Sequence, residues 1–153
     1  MRKISRYELV CEKVGAVKVC EEELTRIDNS MEVARIMKNA LKCEGWLVEK
    51  FMLFVIGTKM EVVGFSEISR GALSAAPVHM RELFQTILSI PKCAAFIVAH
   101  NHPSGDARPS PQDIELTNKI NECSQLMGIK FFDHVIVGEG NFVSMKAEGY
   151  IDG

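Results

Sequence analysis

The chain has 153 residues, 47% of them hydrophobic and 25% charged, which suits one soluble globular domain with a sizeable core. A formal charge of −2 supplies no general attraction to nucleic acid or to an anionic membrane. No apolar run approaches the ~20 residues of a membrane span, and charges throughout residues 1–30 exclude a secretory signal.

Residues 1–30 read as a short leader, and the mix of β-branched and charged residues over 7–19 predicts one or two edge strands. Asn29 and Ser30 offer N-caps, with Glu32 three after Asn29 as a capping-box partner. A helix follows over 31–41, with Met31, Ala34, Met37 and Leu41 on one face, and Glu44-Gly45 ends it. Residues 48–56 form a strand deep in a sheet, 57–59 a turn, and 60–65 the second strand of a hairpin. Residues 66–77 read as a loop, bordering an active site or simply connecting. Residues 78–90 fit a helix with Leu83, Ile87 and Leu88 inward, stopped by Pro91.

The five cysteines (Cys11, Cys20, Cys43, Cys93 and Cys123) form no C-x-x-C pair and are odd in number. They read as core fillers of a reduced, cytoplasmic protein rather than as metal ligands.

Residues 94–99 are short, apolar and uncharged, a buried strand. Side chains alternate along a strand, so His100 and His102 share one side at its end. Residues 103–109, rich in Pro, Gly, Ser and Asp, form a loop in which Pro103 and Gly105 shape the approach of the two imidazoles. Ser110 caps a helix with Pro111 in its first turn, and Asp113 falls in that same turn, facing back toward the histidines. The helix runs over 111–127 with Leu116, Ile120, Cys123 and Met127 as a stripe, and Gly128 closes it. A strand over 129–137, a turn over 138–141 and an edge strand over 142–145 complete the fold. The polar tail 146–153 is expected to fray. Helix, hairpin, helix, strand, helix, hairpin is a mixed α/β order, implying a central mixed sheet covered by helices in three layers.

His100, His102, Ser110 and Asp113 together spell H-x-H-x7-S-x2-D. Two imidazole nitrogens and one carboxylate oxygen suit a zinc ion that keeps its fourth position open, the catalytic arrangement. H-x-H alone is a weak signal; four positions at fixed spacing in strand–loop–helix context are a specific one. A zinc deaminase would need H-x-E and P-C-x-x-C, and neither is present. A two-metal nuclease would need more clustered carboxylates.

The pattern resembles the JAMM (MPN+) metalloproteases. Within them, His100-Asn101-His102-Pro103-Ser104-Gly105-Asp106 and the downstream Asp133-His134 resemble the RadC family, over residues 31–150. The resemblance implies the JAMM/MPN fold, related in layout to the cytidine deaminases. It implies Zn2+ on His100, His102 and Asp113, and Ser110 helping to stabilise the tetrahedral intermediate. It also implies a general base from an upstream glutamate, which falls on Glu49, two residues before Phe51 and an apolar run. Glu44, Glu61 and Glu67 are its rivals. The function implied is hydrolysis of a peptide or isopeptide bond in a peptide or protein substrate. The alternative is a DNA-repair-associated or mobile-element accessory protein that uses the domain for binding. Longer RadC proteins carry a helix-hairpin-helix region, and its pattern is missing here, as in the short forms. Val78-His79-Met80-Arg81-Glu82 resembles the family's V-H-P-R-E run, with methionine at the proline position. His79 reads as a half-exposed histidine at a helix start rather than a substrate contact. The roles of Asp106 and Asp133 are not separable from sequence. His134 reads equally as a residue that orients a ligand and as a strand histidine satisfied locally.

Overall fold

Among the described residues, five strands form one sheet: β1 (Lys50–Ile56), β2 (Val62–Arg70), β3 (Ala95–Asn101), β4 (Lys130–Val137) and β5 (Phe142–Ser144). The computed structural model describes residues 3–6, 8, 11–19, 28–75 and 77–152. The strand order is β2-β1-β3-β4-β5. β3 and β4 are parallel, and the other neighbours are antiparallel. All seven residues of β3 are buried, which is why its first five, residues 95–99, are an unbroken apolar run rather than an alternating one. Each fully buried Phe96, Ile97 or Val98 contributes roughly 1.5–3 kcal/mol, enough to offset the ~1–2 kcal/mol of backbone ordering at that residue.

Among the described residues, three α-helices cover the sheet: α1 (Asn29–Arg35), continued by a π-helical turn (Ile36–Ala40), α2 (Met80–Ser89) and α3 (Pro111–Met127). Leu83, Phe84 and Ile87 of α2 and Leu116 and Ile120 of α3 pack on one face with Phe51, Leu53, Phe96 and Val98. Val33, Ala34 and Met37 pack on the other with Met52, Phe54, Ile97 and Ala99. Alternate residues of the same strands therefore feed two cores. The result is the mixed α/β arrangement, helices on both faces of a five-stranded sheet, that the order of elements implies. No described helix is long and apolar enough to cross a membrane.

Several local expectations differ. Residues 3–6, 8 and 11–19 carry no strand, so the edge strand expected over 7–19 is not formed by its described members; Tyr7, Leu9 and Val10 lie outside the described residues. The cap of α1 is Asp28, whose carboxylate accepts from the Met31 N–H at 2.8 Å. Asn29 and Ser30 are buried in the first turn instead, and Met31 faces solvent. β2 runs on to Arg70 where a loop from 66 was expected. Within β2, Glu67 bridges Arg70 at 2.7 Å and reaches Lys50 on β1 at 3.8 Å. In α2, Phe84 and not Leu88 faces the core; Leu88 is exposed. The tail is folded back: Tyr150 N–H donates to Met145 O, and Ile151 is buried. Among the cysteines, Cys43 is buried, Cys93 and Cys123 are half-buried and Cys11 is exposed; Cys20 lies outside the described residues.

One irregularity decides which side chains meet. Phe96 pairs with Phe131 but Ile97 pairs with Asp133, so Phe132 is an extra residue in β4. A bulge of this kind reverses the alternation beyond it. Because of it, Asp133 turns toward α1 and His134 toward α3 and β3.

Candidate metal centre

The centre lies where β3 ends and α3 begins. His100 is the sixth residue of β3 and His102 follows the strand, so both project to the α3 side. The next turn of chain is narrow. His102 N–H donates to Val137 O, Gly105 N–H to His102 O, and Glu139 N–H to Gly105 O. Gly105 adopts φ +87°, a left-handed conformation that a side chain would strain. Gly138 lies so close that a Cβ there would sit 2.4 Å from Gly105 O. α3 then opens with a complete capping box. Asp113 N–H donates to Ser110 Oγ at 3.1 Å, and Ser110 N–H to Asp113 Oδ2 at 2.8 Å. The cap fixes the Asp113 carboxylate and holds it 3.2 Å from His100 Nε2 through Oδ1 and 3.2 Å from His102 Nε2 through Oδ2. The two Nε2 atoms are 2.9 Å apart. The ligand atoms of His100, His102 and Asp113 all fall within 4.8 Å of one another.

Hydrogen bonds settle what these atoms offer. His102 Nδ1 is 2.7 Å from Asp106 O. A carbonyl only accepts, so neutral His102 carries its proton on Nδ1 and has its lone pair on Nε2. Burial alone would push the Asp113 carboxyl up. The bonds to His100, His102 and the Ser110 N–H outweigh burial and hold it well below the usual carboxylate range, so it is an anion. The hydrogen bond with Asp113 raises His102, against burial. The donor set, two nitrogens and one oxygen with little solvent access, fits a divalent ion of the zinc type. His100 would bind through Nε2, His102 through Nε2 and Asp113 through Oδ1.

Glu49, at the head of β1, is half-buried and lines a cavity of about 290 Å³ with His102, Ser110, Asp113 and Leu73. Its main chain is held on three sides. The Asn101 side-chain amide accepts from Lys50 N–H at 2.8 Å and donates to Val48 O at 3.0 Å. Gly71 N–H donates to Glu49 O at 2.8 Å. Among the rivals, Glu61 follows the far end of β1, and Glu67 is engaged with Arg70 and Lys50. Glu44 lines a second cavity of about 290 Å³ on the other side of His102, with Cys43, Trp46 and Glu139; burial pushes the Cys43 thiol up to about 11, which makes it a poor nucleophile.

Of the other acids, Asp106 contributes its carbonyl. Its exposed carboxylate is bound by the Arg108 guanidinium, which lowers it to about 2. Asp133 faces away from the centre. His79 is exposed at the start of α2 and lines neither cavity. Two residues escape a reading of the motif. Asn101 sits between the histidines but points to the opposite face, as alternation demands. Thr117 is four residues after Asp113, hence one helical turn along the same face of α3. His134 is wholly buried, and desolvation first, then the charge of His100, lowers it well below the usual histidine value. Its Nε2 is 2.8 Å from His100 Nδ1 and its Nδ1 is 2.7 Å from Thr117 Oγ1.

The profile of the RadC-like JAB domain matches residues 27–150. The chain is 46% identical over 101 residues to a UPF0758 protein of Desulforudis audaxviator, covering 66% of this chain and 44% of that one. It is 35% identical over 144 residues to a UPF0758 protein of Clostridium perfringens, covering 94% and 62%. A UPF0758 protein of Staphylococcus haemolyticus is 36% identical over 130 residues, covering 85% and 56%. The chain thus spans about half the length of the curated relatives it matches.

Proposed function

Because the chain belongs to the RadC-like JAB domain family, we propose that it is a zinc-dependent, metallopeptidase-like hydrolase that cleaves a peptide or isopeptide bond. The observation that supports this reading most is the convergence of His100 Nε2, His102 Nε2 and the Asp113 carboxylate within 4.8 Å. The two Nε2 atoms are only 2.9 Å apart. With both imidazoles neutral and their protons on Nδ1, such an approach sets lone pair against lone pair, and a cation between them removes the conflict.

Zinc held by three protein ligands supplies Lewis acidity for a scissile carbonyl and lowers the pKa of water toward ~7. The chain's own groups do the remaining work. Glu49, in the cavity beside His102, accepts the proton of the attacking water and delivers it to the leaving amine. Ser110 Oγ is an acceptor in its cap, so its hydroxyl proton remains to donate to the oxyanion that develops on the substrate. Pro103 and Leu73 line the same cavity. An odd number of cysteines with no C-x-x-C pair supports a reduced, cytoplasmic setting. A DNA-associated binding role draws no electrostatic support from a net charge of −2.

The test is a cleavage screen. Peptides from a cellular proteome and isopeptide-linked conjugates are incubated with zinc-loaded wild type, His100→Ala and Glu49→Gln. New amino termini or released lysine side chains in the wild-type reaction alone support the reading. Products that are the same in all three reactions, or absent from all three, refute it.

A further inference from the structure

Thr117 and His134 lie outside the H-x-H-x7-S-x2-D pattern, yet they form a continuous hydrogen-bond path between two members of the donor set. Thr117 Oγ1 is 2.7 Å from Asp113 O, one turn back on α3. The carbonyl only accepts, so the single hydroxyl proton points at it. Thr117 Oγ1 must then accept from its other neighbour, His134 Nδ1, at 2.7 Å. His134 therefore carries its one proton on Nδ1 and presents a lone pair at Nε2. That lone pair faces His100 Nδ1 at 2.8 Å, so His100 donates from Nδ1. Its own lone pair is left on Nε2, the atom that faces Asp113 and His102.

We propose that His134 and Thr117 are positioning residues that fix the Nδ1–H tautomer of His100 and so keep its Nε2 free to bind the metal. The inference rests on the metal reading of the centre. The path runs in one direction only: His100 Nδ1–H to His134, His134 Nδ1–H to Thr117, Thr117 hydroxyl to the Asp113 carbonyl. It begins on one ligand and ends on the backbone of another, so each ligand's orientation depends on the other's. Packing holds the same geometry. The Phe51 ring lies parallel to His100 at 6.1 Å between centroids and edge-on to His134 at 5.7 Å. His134, Thr117 and His100 are buried, so water does not compete for these protons. The bulge at Phe132 gives His134 its direction; in a regular ladder Phe132 would pair with Ile97, and Asp133, opposite Val98, would turn to the His100 face instead.

The deciding variant is Thr117→Val, which keeps the shape and removes the hydroxyl. His134 Nδ1–H then has no acceptor, and its proton shifts to Nε2. That proton opposes the Nδ1–H of His100, which drives the His100 proton onto the metal-binding nitrogen. Zinc affinity, measured by chelator competition on the full chain, is expected to fall ~10–100-fold in Thr117→Val and in His134→Ala. His134→Gln, whose amide can accept from His100 and donate to Thr117, should recover most of it. Long-range 15N–1H spectra of metal-free protein give a readout that a purely structural role would not move. Wild type should show His100 and His134 protonated on Nδ1, and Thr117→Val should show both tautomers. His100 protonated on Nε2 in the wild type overturns the proposal. So do zinc affinities within threefold of wild type in a folded Thr117→Val. A wild type that binds no zinc overturns the metal reading itself, a failure distinct from unchanged affinity among variants that bind.

Discussion

Replacing Asp133 tests how the sheet holds the centre from behind. Its carboxylate is wholly buried and has no cationic partner among the described residues. It accepts from Ser30 Oγ of α1 at 2.5 Å, from Ser144 Oγ of β5, from its own neighbour His134 N–H at 2.7 Å, and from Lys146 N–H at 2.9 Å. One side chain thus joins α1, β4, β5 and the tail, immediately beyond the bulge. A hydrogen bond to a charged acceptor contributes about 1.5–3 kcal/mol. Four sharing one carboxylate are not additive, and deleting the carboxylate recovers several kcal/mol of desolvation. Asp133→Ala is therefore expected to destabilise by about 3–5 kcal/mol, the range for breaking a buried charged group's contacts. Asp133→Asn keeps an oxygen for the two backbone N–H groups, and the serine hydroxyls can turn to accept from its amide, so it should cost about 1–2 kcal/mol. Urea unfolding followed by the fluorescence of Trp46, the single tryptophan, resolves the two. At a slope of about 2 kcal/mol/M the midpoint of Asp133→Ala should drop by about 1.5–2.5 M. An alanine variant within ~1 kcal/mol of wild type, or an asparagine variant as damaged as the alanine one, would refute this account of the network.

Glu49→Gln should retain zinc and fold while hydrolysis falls by ~10²-fold or more; retention of full turnover on any substrate found would reject Glu49 as the base. Gly138→Ala places a Cβ 2.4 Å from Gly105 O and 2.8 Å from Ala107 N. It should cost about 1–3 kcal/mol, read as a lower midpoint, and loosen the loop that fixes His102, read as weaker zinc binding. A variant with unchanged midpoint and affinity contradicts the close approach. The pH dependence of zinc affinity follows from His102. Its raised pKa means that a proton occupies the pocket to higher pH than at an ordinary histidine, and zinc must displace it. Affinity should fall about tenfold per pH unit below that pKa, and a flat profile between pH 5 and 8 would contradict the assignment.

What was legible in the sequence is what local physics decides. The run 94–99 is too short and too apolar to be anything but an interior strand. Ser110-Pro111 opens a helix, and α3 runs over 111–127 up to Gly128 as expected, although Met127 of its expected stripe is exposed. Side-chain alternation then brings His100 and His102 to one side, and the first turn of α3 brings Asp113 to them. The departures occur where distant groups override local preference. Ser30 is a good cap by type, but it is drawn to Asp133, 103 positions away in the chain, and Asp28 caps in its place. β2 extends past Phe65 because Ser66, Glu67, Ser69 and Arg70 continue the ladder against Leu53, Met52, Phe51 and Lys50 of β1. The bulge at Phe132 leaves no mark in a run of apolar residues, so the facing of Asp133 and His134 could not be read. Asn101 and Thr117 carry ordinary side chains; only the neighbours that the fold supplies make one a clamp on Glu49 and the other the end of a proton-ordered path.

Metal content of protein purified without added metal, joined to anomalous diffraction at the zinc edge, decides whether His100, His102 and Asp113 hold an ion. Close to one zinc per chain is expected, at about 2.0–2.2 Å from His100 Nε2, His102 Nε2 and Asp113 Oδ1, and it should be lost in His100→Ala. A wild-type protein still empty after dialysis against zinc, or a His100→Ala protein that keeps its metal, would contradict that assignment.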